Sequence, residues 1–195
     1  MNNTYTVIDI ESTGLNSFTD RIVLIGVSDY NGNQVIYESK NEDALLDRFM
    51  LYVERDMRPN NHIITTYNGS SFDVPFIVAR ALHHGFTGGA QLLKLRHLDL
   101  MWIVKKYMQT QRYRSPTGQL KLTSIAKFLG IDVPEDDFSG KDVPILFEAG
   151  KIQPIIDHCK IDLQITLQML KEVKDIADMD IKLRYPESKE HRCDL

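Results

Sequence analysis

The amino-acid sequence predicts a single α/β domain, with a mixed central sheet and helices packed on it. Three segments near the N-terminus are rich in β-branched residues, and the rest of the chain alternates helical and strand patterns. The chain has 195 residues, which is long enough for one well-buried domain and short for two. We assign the domain to residues 1–184 and expect the polar segment 185–195 to be a flexible tail.

The strand patterns predict an antiparallel meander followed by two further strands. The meander comprises residues 4–10, 21–27 and 34–38, and the Asn31-Gly32 dipeptide is typical of a hairpin turn between its last two strands. Residues 62–68 and 96–100 form the later strands, and a helical pattern separates them. A meander joined to strands that alternate with helices predicts a mixed sheet.

Apolar residues at helical spacing predict five helices. The first begins at Asn41, and Gly130 ends the fourth. Two polar segments, 109–118 and 132–141, are predicted to be loops. The predicted helices cover residues 41–53, 72–84, 101–108, 122–129 and 153–176.

Composition and charge exclude several classes of protein. The net charge of -4 excludes a strongly basic protein that binds duplex DNA over a wide face, but not an enzyme with a metal-lined cleft. Cys159 and Cys193 are too few for a disulfide scaffold and lack the spacing of a zinc site. The N-terminus has no signal-peptide pattern, and no apolar run approaches the ~20 residues of a membrane span. We therefore expect a cytoplasmic protein without membrane association.

Four acidic residues in three segments are the most informative feature of the sequence. Asp9 and Glu11 interrupt the core of a predicted strand, and residues two apart on a strand point to the same face. Asp73 lies at a predicted helix start, where the helix dipole favours an ionised carboxylate, and Asp162 lies on the last predicted helix. Each acid alone could be a solvated group or a helix cap.

Together the four acids indicate a metal-dependent nuclease. Carboxylates within apolar runs are costly unless a cation neutralises them. Carboxylate oxygens suit Mg²⁺ or Mn²⁺, whereas zinc would favour His or Cys ligands. Pairs of such ions drive many enzymes that cleave phosphodiester bonds.

Three motifs resemble those of the DEDD superfamily of 3′-5′ exonucleases. They are DIESTGL at residues 9–15, YNGSSFD at 67–73 and HCKID at 158–162, in the expected order. The resemblance is strongest to the proofreading exonuclease domain of family B DNA polymerases and its stand-alone relatives. The linking segments HLDL, LKLTSIA and GKDVP also resemble that group. The resemblance implies a ribonuclease H-like fold.

The resemblance also implies an activity and its metal ligands. Two Mg²⁺ or Mn²⁺ ions would activate a water molecule and stabilise the leaving 3′-oxygen. The implied reaction releases nucleoside 5′-monophosphates from the 3′ end of single-stranded DNA. The implied ligands are Asp9, Glu11, Asp73 and Asp162.

The nucleic acid and the partners stay open at this point. A 3′-5′ exoribonuclease is one alternative, and a catalytically weak nucleic-acid-binding module of the same fold is another. We expect no proofreading in cis because no polymerase segment is attached. A replication or repair protein is a candidate partner.

The resemblance extends to residues that would bind substrate. Gly14, which follows Thr13, would let the backbone approach the terminal nucleotide, and Leu15 would wedge against its base. Asn68 matches a position that hydrogen-bonds the single strand, and Phe72 matches one that stacks on it. Core packing is the alternative for Leu15 and Phe72.

His158 departs from the superfamily pattern. The superfamily places a Tyr four residues before the last Asp or a His five residues before it, whereas this chain has His158 four and Asp157 five residues before Asp162. Four residues along a helix return nearly to the same face. We therefore assign His158 to activation of the water, with a packing role as the alternative.

Two further features concern charged residues outside the three motifs. A basic cluster is predicted either to contact phosphates at the mouth of the cleft or to be a solvated loop. Asp99 is a fifth candidate acid, to which we assign a structural role at the end of a strand. The basic cluster comprises Lys105, Lys106, Arg112, Arg114 and Lys121.

Overall fold

The computed structural model describes residues 3–86, 88–109, 120–135 and 138–186. Within these ranges the chain forms five strands and eight α-helices. The strands are Tyr5–Ser12 (β1), Ile22–Asp29 (β2), Gln34–Glu38 (β3), Ile63–Thr66 (β4) and Arg96–Asp99 (β5). The helices are Glu42–Tyr52 (α1), Asp73–His83 (α2), Gly89–Leu92 (α3), Leu100–Ile103 (α4), Leu122–Phe128 (α5), Val143–Glu148 (α6), Ile152–Glu172 (α7) and Lys174–Arg184 (α8). Single π-helical turns, Val53–Met57 and Val104–Met108, extend α1 and α4.

The strands form one mixed sheet in the order β3-β2-β1-β4-β5. The first three are antiparallel, and β4 and β5 run parallel to β1. The predicted mixed sheet is therefore confirmed. The predicted hairpin turn is present between β2 and β3, where Gly32 has a φ of 93° that a side chain would strain.

Successive side chains of β1 point to opposite faces of the sheet, so they pack into two different layers. Tyr5 and Val7 are buried in the layer that α7 and α8 build on one face of the sheet. Ile8 and Ile10 are buried on the opposite face, against α1 and α2. Because side chains alternate, Asp9 and Glu11 share the α7 face with Tyr5 and Val7. The long last helix therefore covers the face on which the two acids lie.

A glycine lets α7 approach the sheet beside Asp9. Gly26 on β2 pairs with Asp9 on β1. A Cβ atom on Gly26 would lie 2.4 Å from Cys159 Sγ and 2.8 Å from Leu163 Cδ1, so a larger residue would force the helix outward. This close contact sets the height of α7, and with it of Asp162, above the central strand.

Several predicted boundaries were wrong. The helix predicted over 153–176 is two helices, α7 and α8, which meet at Val173. The short helices α3 and α6 were not predicted. Residues 110–119, including Arg112 and Arg114, lie outside the described residues, as do 136–137 and the part of the predicted tail from 187 onward. None of the described helices combines the length and apolar character that crossing a bilayer requires.

Candidate active site

The fold brings the four acids of the three motifs together. Asp9 and Glu11 lie near the C-terminal end of β1, and Glu11 is buried. Asp73 is the first residue of α2 and is also buried. Asp162 lies in the middle of α7, and its side chain is 25% exposed. The charges of Asp73, Glu11 and Asp162 all act on Asp9, so the four carboxyl groups form one cluster.

A backbone hydrogen bond ties Asp73 to the central strand. The N–H of Ile10 donates to Asp73 Oδ1 at 3.1 Å. The pairing of β1 with β4 runs only from Tyr5 to Val7, so Ile10 lies beyond the last β4 partner. The Asp73 carboxylate satisfies this buried donor and holds the start of α2 against the acidic pair.

Asp99 organises the loop that leads into Asp73. Its carboxylate accepts hydrogen bonds from the N–H groups of Asn68 at 2.9 Å and Ser70 at 3.0 Å, and from the hydroxyl of Ser70. It also caps α4 by accepting from Met101 N–H at 3.0 Å. Asp99 therefore has the structural role predicted for it.

The loop after β1 exposes Leu15 to solvent. Leu15 is 86% exposed, so core packing, the alternative reading of this residue, is wrong. Thr13 closes the loop, because its N–H donates to Arg21 O and its hydroxyl accepts from Arg21 N–H. Phe18 on the same loop is 85% exposed, and sequence reasoning missed it.

Residue 14 is glycine for a steric reason that the sequence did not reveal. A Cβ atom there would lie 2.3 Å from Asp20 Oδ2. That carboxylate accepts a hydrogen bond from Asn16 N–H at 2.8 Å, which stabilises the loop. The absence of a side chain at Gly14 therefore leaves space for the Asp20 carboxylate. The predicted approach of the Gly14 backbone to a nucleotide stays a prediction.

Asn68 and Phe72 lie on the loop between β4 and α2. Asn68 has a φ of 64°, a left-handed conformation that asparagine tolerates better than most residues. Phe72 is half-buried and makes an edge contact with Phe76 at 5.4 Å between ring centroids. Phe72 therefore packs partly into the core while keeping an exposed part. Contact of either residue with substrate stays a prediction.

His158 faces the acids, as the helical spacing predicts. Its Nε2 atom lies 3.8 Å from Glu11 Oε1 and 3.7 Å from Asp162 Oδ2. Asp157, the residue at the alternative spacing, is exposed and accepts a hydrogen bond from Gln153 at 2.8 Å. Of the two positions, 158 is the one that reaches the cluster.

Comparison with known proteins agrees with this geometry. The sequence profile of the RNase H superfamily matches residues 6–174. The chain belongs to the RNase H superfamily. Its structure also matches that of the family B DNA polymerase from Pyrobaculum calidifontis, with a TM-score of 0.68 and 18% identity over 89% of this chain and 25% of that one. The ribonuclease H-like fold implied by the motifs is confirmed.

Sequence relatives support the same relationship. An uncharacterized protein of Methanocaldococcus jannaschii is 34% identical over 87% of this chain and 94% of its own length. The catalytic subunits A of DNA polymerase epsilon from Kluyveromyces lactis and Saccharomyces cerevisiae are each 44% identical over 57 residues. The chain matches only 2% of the length of these polymerase subunits. The predicted resemblance to the exonuclease region of polymerases is confirmed, and the superfamily indicates a nuclease.

In the acid cluster, carboxyl groups are held close together in a poorly solvated place. Burial raises the pKa of Asp9 well above its usual range, and the charges of Asp73, Glu11 and Asp162 raise it further. A hydrogen bond from the Cys159 thiol opposes that rise. Burial also raises the pKa of Asp73 to about 7, although the N–H of Ile10 favours its charged form.

The donor set fits a hard divalent cation. RNase H-like nucleases use divalent metals, and the four carboxylates offer only oxygen ligands. In the described part of the chain, no three His, Cys, Asp or Glu side chains are already arranged as a metal site. The raised pKa values show why a cation suits the cluster, because it would remove the repulsion that opposes ionisation of Asp9 and Asp73.

A cavity adjoins the cluster at Asp162. Its volume is about 850 Å³, and it extends from His158 and Asp162 to Lys121 and Lys127. Lys121 belongs to the predicted basic cluster, whereas sequence reasoning missed Lys127. Lys106 was assigned to the basic cluster as well, but it pairs with Asp180 at 2.9 Å, on α8.

Sequence reasoning also missed Phe138. Its ring stacks on the His158 imidazole, with centroids 4.4 Å apart. A lone aromatic residue within the acidic segment 132–141 was the available signal.

Proposed function

We propose that this RNase H-superfamily chain is a metal-dependent 3′-5′ exonuclease that releases nucleoside 5′-monophosphates from single-stranded DNA. The supporting observation is the convergence of Asp9, Glu11, Asp73 and Asp162 from β1, α2 and α7 on one poorly solvated cluster. Carboxylates crowded in this way are costly in the absence of a cation. Membership in a nuclease superfamily and similarity to DNA polymerases support the reaction class and the choice of DNA.

The chain supplies the metal ligands and a base. Two divalent ions held by the four acids would acidify a water molecule and offset the charge that develops on the leaving oxygen. His158 would accept a proton from the attacking water, a role supported by the proximity of its Nε2 to Glu11 and Asp162.

The substrate strand would occupy the surfaces that adjoin the acids. The large cavity leads away from Asp162 towards Lys121 and Lys127, whose ammonium groups suit backbone phosphates. Leu15 and Phe18 project into solvent from the loop after β1 and suit contact with bases. Because bases and phosphates of any sequence offer such contacts, we expect cleavage with little sequence preference.

Degradation of labelled oligonucleotides tests the proposal. We expect 5′-labelled single-stranded DNA to shorten progressively with Mg²⁺ or Mn²⁺, and a 3′ label to be released at once as a mononucleotide. A matched RNA oligonucleotide should be cut more slowly. Cleavage of RNA alone would favour the exoribonuclease instead, and tight metal-independent binding without turnover would favour the binding module.

Two isosteric variants of α7 assign the activity to this site. Asp162→Asn should lower the rate at least ~10²-fold, since even outer partners of metal ligands contribute 10–100-fold. Asp157→Asn changes an exposed carboxylate of the same helix and should leave the rate unchanged. Equal rates for the two variants would reject the proposed site.

A further inference from the structure

A buried ion pair joins α1 to α2 beside the loop that follows β1. Glu42, the first residue of α1, is 4% exposed, and Arg80 on α2 is 8% exposed. Arg80 Nη2 donates to Glu42 Oε2 at 2.6 Å, and Arg80 Nε donates to Glu42 Oε1 at 3.0 Å. These two parallel hydrogen bonds fix the orientation of both side chains.

The pair also contacts the backbone of the loop at two points. Glu42 Oε1 accepts a hydrogen bond from the N–H of Ile22 at 2.6 Å, where the loop ends and β2 begins. The third nitrogen of the guanidinium, Arg80 Nη1, donates to the carbonyl oxygen of Ser17 at 3.5 Å. The ion pair therefore holds both the middle and the end of the loop.

These anchors support the part of the loop that carries its apolar side chains. Leu15 and Phe18 are almost fully exposed, so core packing does not fix their positions. Ser17, whose carbonyl group accepts from Arg80, directly precedes Phe18. The direction in which the two apolar side chains point therefore depends on how the loop backbone is held.

The α2 helix connects the anchored loop to the acid cluster. Asp73 is the first residue of α2, and Arg80 lies about two turns later on the same helix. The N–H of Ile10 donates to Asp73 and so fixes the start of α2 against the central strand. One helix therefore sets the position of the loop relative to one of the four acids.

The ion pair is charged in spite of its burial. Burial raises the pKa of Glu42, but hydrogen bonds from Arg80, from the N–H of Ile22 and from His84 outweigh that effect and lower it. His84 Nε2 lies 2.9 Å from Glu42 Oε2. Because removal of one partner would leave the other charge buried and unpaired, Glu42 and Arg80 act as a unit.

We propose that Glu42 and Arg80 are positioning residues, which hold the loop after β1 so that Leu15 and Phe18 face the bases of a single strand. They act through the loop backbone and contact no reacting group. The proposal rests on the proposed function, in which Leu15 and Phe18 contact bases.

Three variants separate the position of the loop from the stability of the protein. Arg80→Met removes the guanidinium and keeps an apolar stem. Glu42→Gln combined with Arg80→Met also removes the unpaired charge, and glutamine keeps a carbonyl oxygen as an acceptor. Arg184→Met is the matched control, because Arg184 Nε donates to the buried Asp180 at 2.6 Å on α8, on the opposite face of the sheet.

Hydrogen exchange of backbone amides, followed by mass spectrometry, reports the loop without any need for activity. The N–H groups of Thr19 and Asp20 both donate to Asn16 O within the loop. Both variants at Arg80 should raise the exchange rate of residues 13–22 by at least about tenfold, the factor that corresponds to one hydrogen bond to a charged group. Arg184→Met should leave that rate unchanged.

Kinetics on single-stranded DNA test whether the position of the loop matters. Both variants at Arg80 should raise KM roughly fivefold to a hundredfold, the range that one base contact represents, with kcat almost unchanged. The rise should persist in the double variant, which no longer has an unpaired buried charge. When Leu15 and Phe18 are both replaced by alanine, Arg80→Met should have no further effect on KM, because it acts through those side chains.

The outcomes distinguish failure of this inference from failure of the proposed function. Wild-type exchange of the loop in the variants at Arg80, or a wild-type KM in the double variant, would overturn the positioning role while leaving the exonuclease intact. Equal rises of KM in Arg80→Met and Arg184→Met would overturn it in favour of general destabilisation. A lowered kcat with unchanged KM would overturn it in favour of an effect on Asp73 through α2.

An inactive wild-type protein would reject the exonuclease instead. Hydrogen exchange would still decide whether the ion pair holds the loop. A fluorescence-anisotropy titration with the same DNA would decide whether the held loop binds a single strand, since Arg80→Met should then weaken binding and Arg184→Met should not.

Discussion

Gly26→Ala should displace the helix that carries Asp162 and His158. The new Cβ would lie 2.4 Å from Cys159 Sγ and 2.8 Å from Leu163 Cδ1. An ordinary contact is roughly 3.5 Å, so about 1 Å of movement is required. Leu163 can move the end of its side chain, whereas rotation of the Cys159 sulfur about χ1 would break its hydrogen bond to Asp9, so the sulfur yields mainly with the helix.

The size of the effect follows from this geometry. Overpacking of a dense core costs about 1–3 kcal/mol, which for a chain of this length lowers Tm by roughly 3–10 °C. A displacement of ~1 Å at the catalytic groups lowers the rate by up to ~10²-fold. The strand backbone itself accepts alanine, because Gly26 does not have a positive φ. The whole effect is therefore steric.

Thermal unfolding and oligonucleotide degradation measure the two consequences, and a double variant isolates the cause. Cys159→Ala removes the nearer of the two obstructing atoms, so Gly26→Ala should cost less stability in that background than in the wild type. The same cost in both backgrounds, or a wild-type Tm for Gly26→Ala, would refute the reasoning.

Three further predictions concern the site and its support. His158→Ala should lower the rate by ~10²–10⁴-fold while single-stranded DNA binding survives in a fluorescence-anisotropy titration, and an unchanged rate would reduce His158 to packing. Leu15→Ala should change the free energy of unfolding by less than about 0.5 kcal/mol, because the side chain is 86% exposed, yet should weaken DNA binding by up to ~1–3 kcal/mol in the same titration; unaltered binding would exclude a base contact. Burial lowers the pKa of His97 from 6.5 to about 4, so the unfolded chain binds a proton that the folded chain does not, and stability should fall as pH drops from about 6.5 to about 4. The loss attributable to His97 should reach roughly 3 kcal/mol in urea titrations across that range, and a His97→Gln variant that retains the full wild-type slope would contradict this account.

The local patterns that the sequence predicted well are those with short-range causes. β3 has the predicted bounds, and α1 begins after Asn41, whose side chain accepts from Asp43 N–H. The turn at Gly32 follows from the conformational freedom of glycine. In contrast, α6 has only 6 residues, and although Val143, Leu146 and Phe147 stand at helical spacing, so short a pattern did not predict a helix.

Spacing along each strand and helix also predicted which side chains of the candidate site lie on the same face. Asp9 and Glu11 share a face because a strand repeats every two residues, and His158 rather than Asp157 reaches Asp162 because a helix nearly repeats every four. The reason for Gly14 was different from the one the motif suggested, because Asp20 packs against it only in the folded loop.

The sequence by itself determined the fold class and the superfamily, and it singled out the four acids that the fold brings together, because all of these depend on residue types at fixed local spacing. Only the tertiary structure decided how the acids meet, that Gly26 admits α7, and that Phe138 stacks on His158. Those contacts join residues from separate elements of the chain. Their distances follow from packing in three dimensions, which no local pattern encodes.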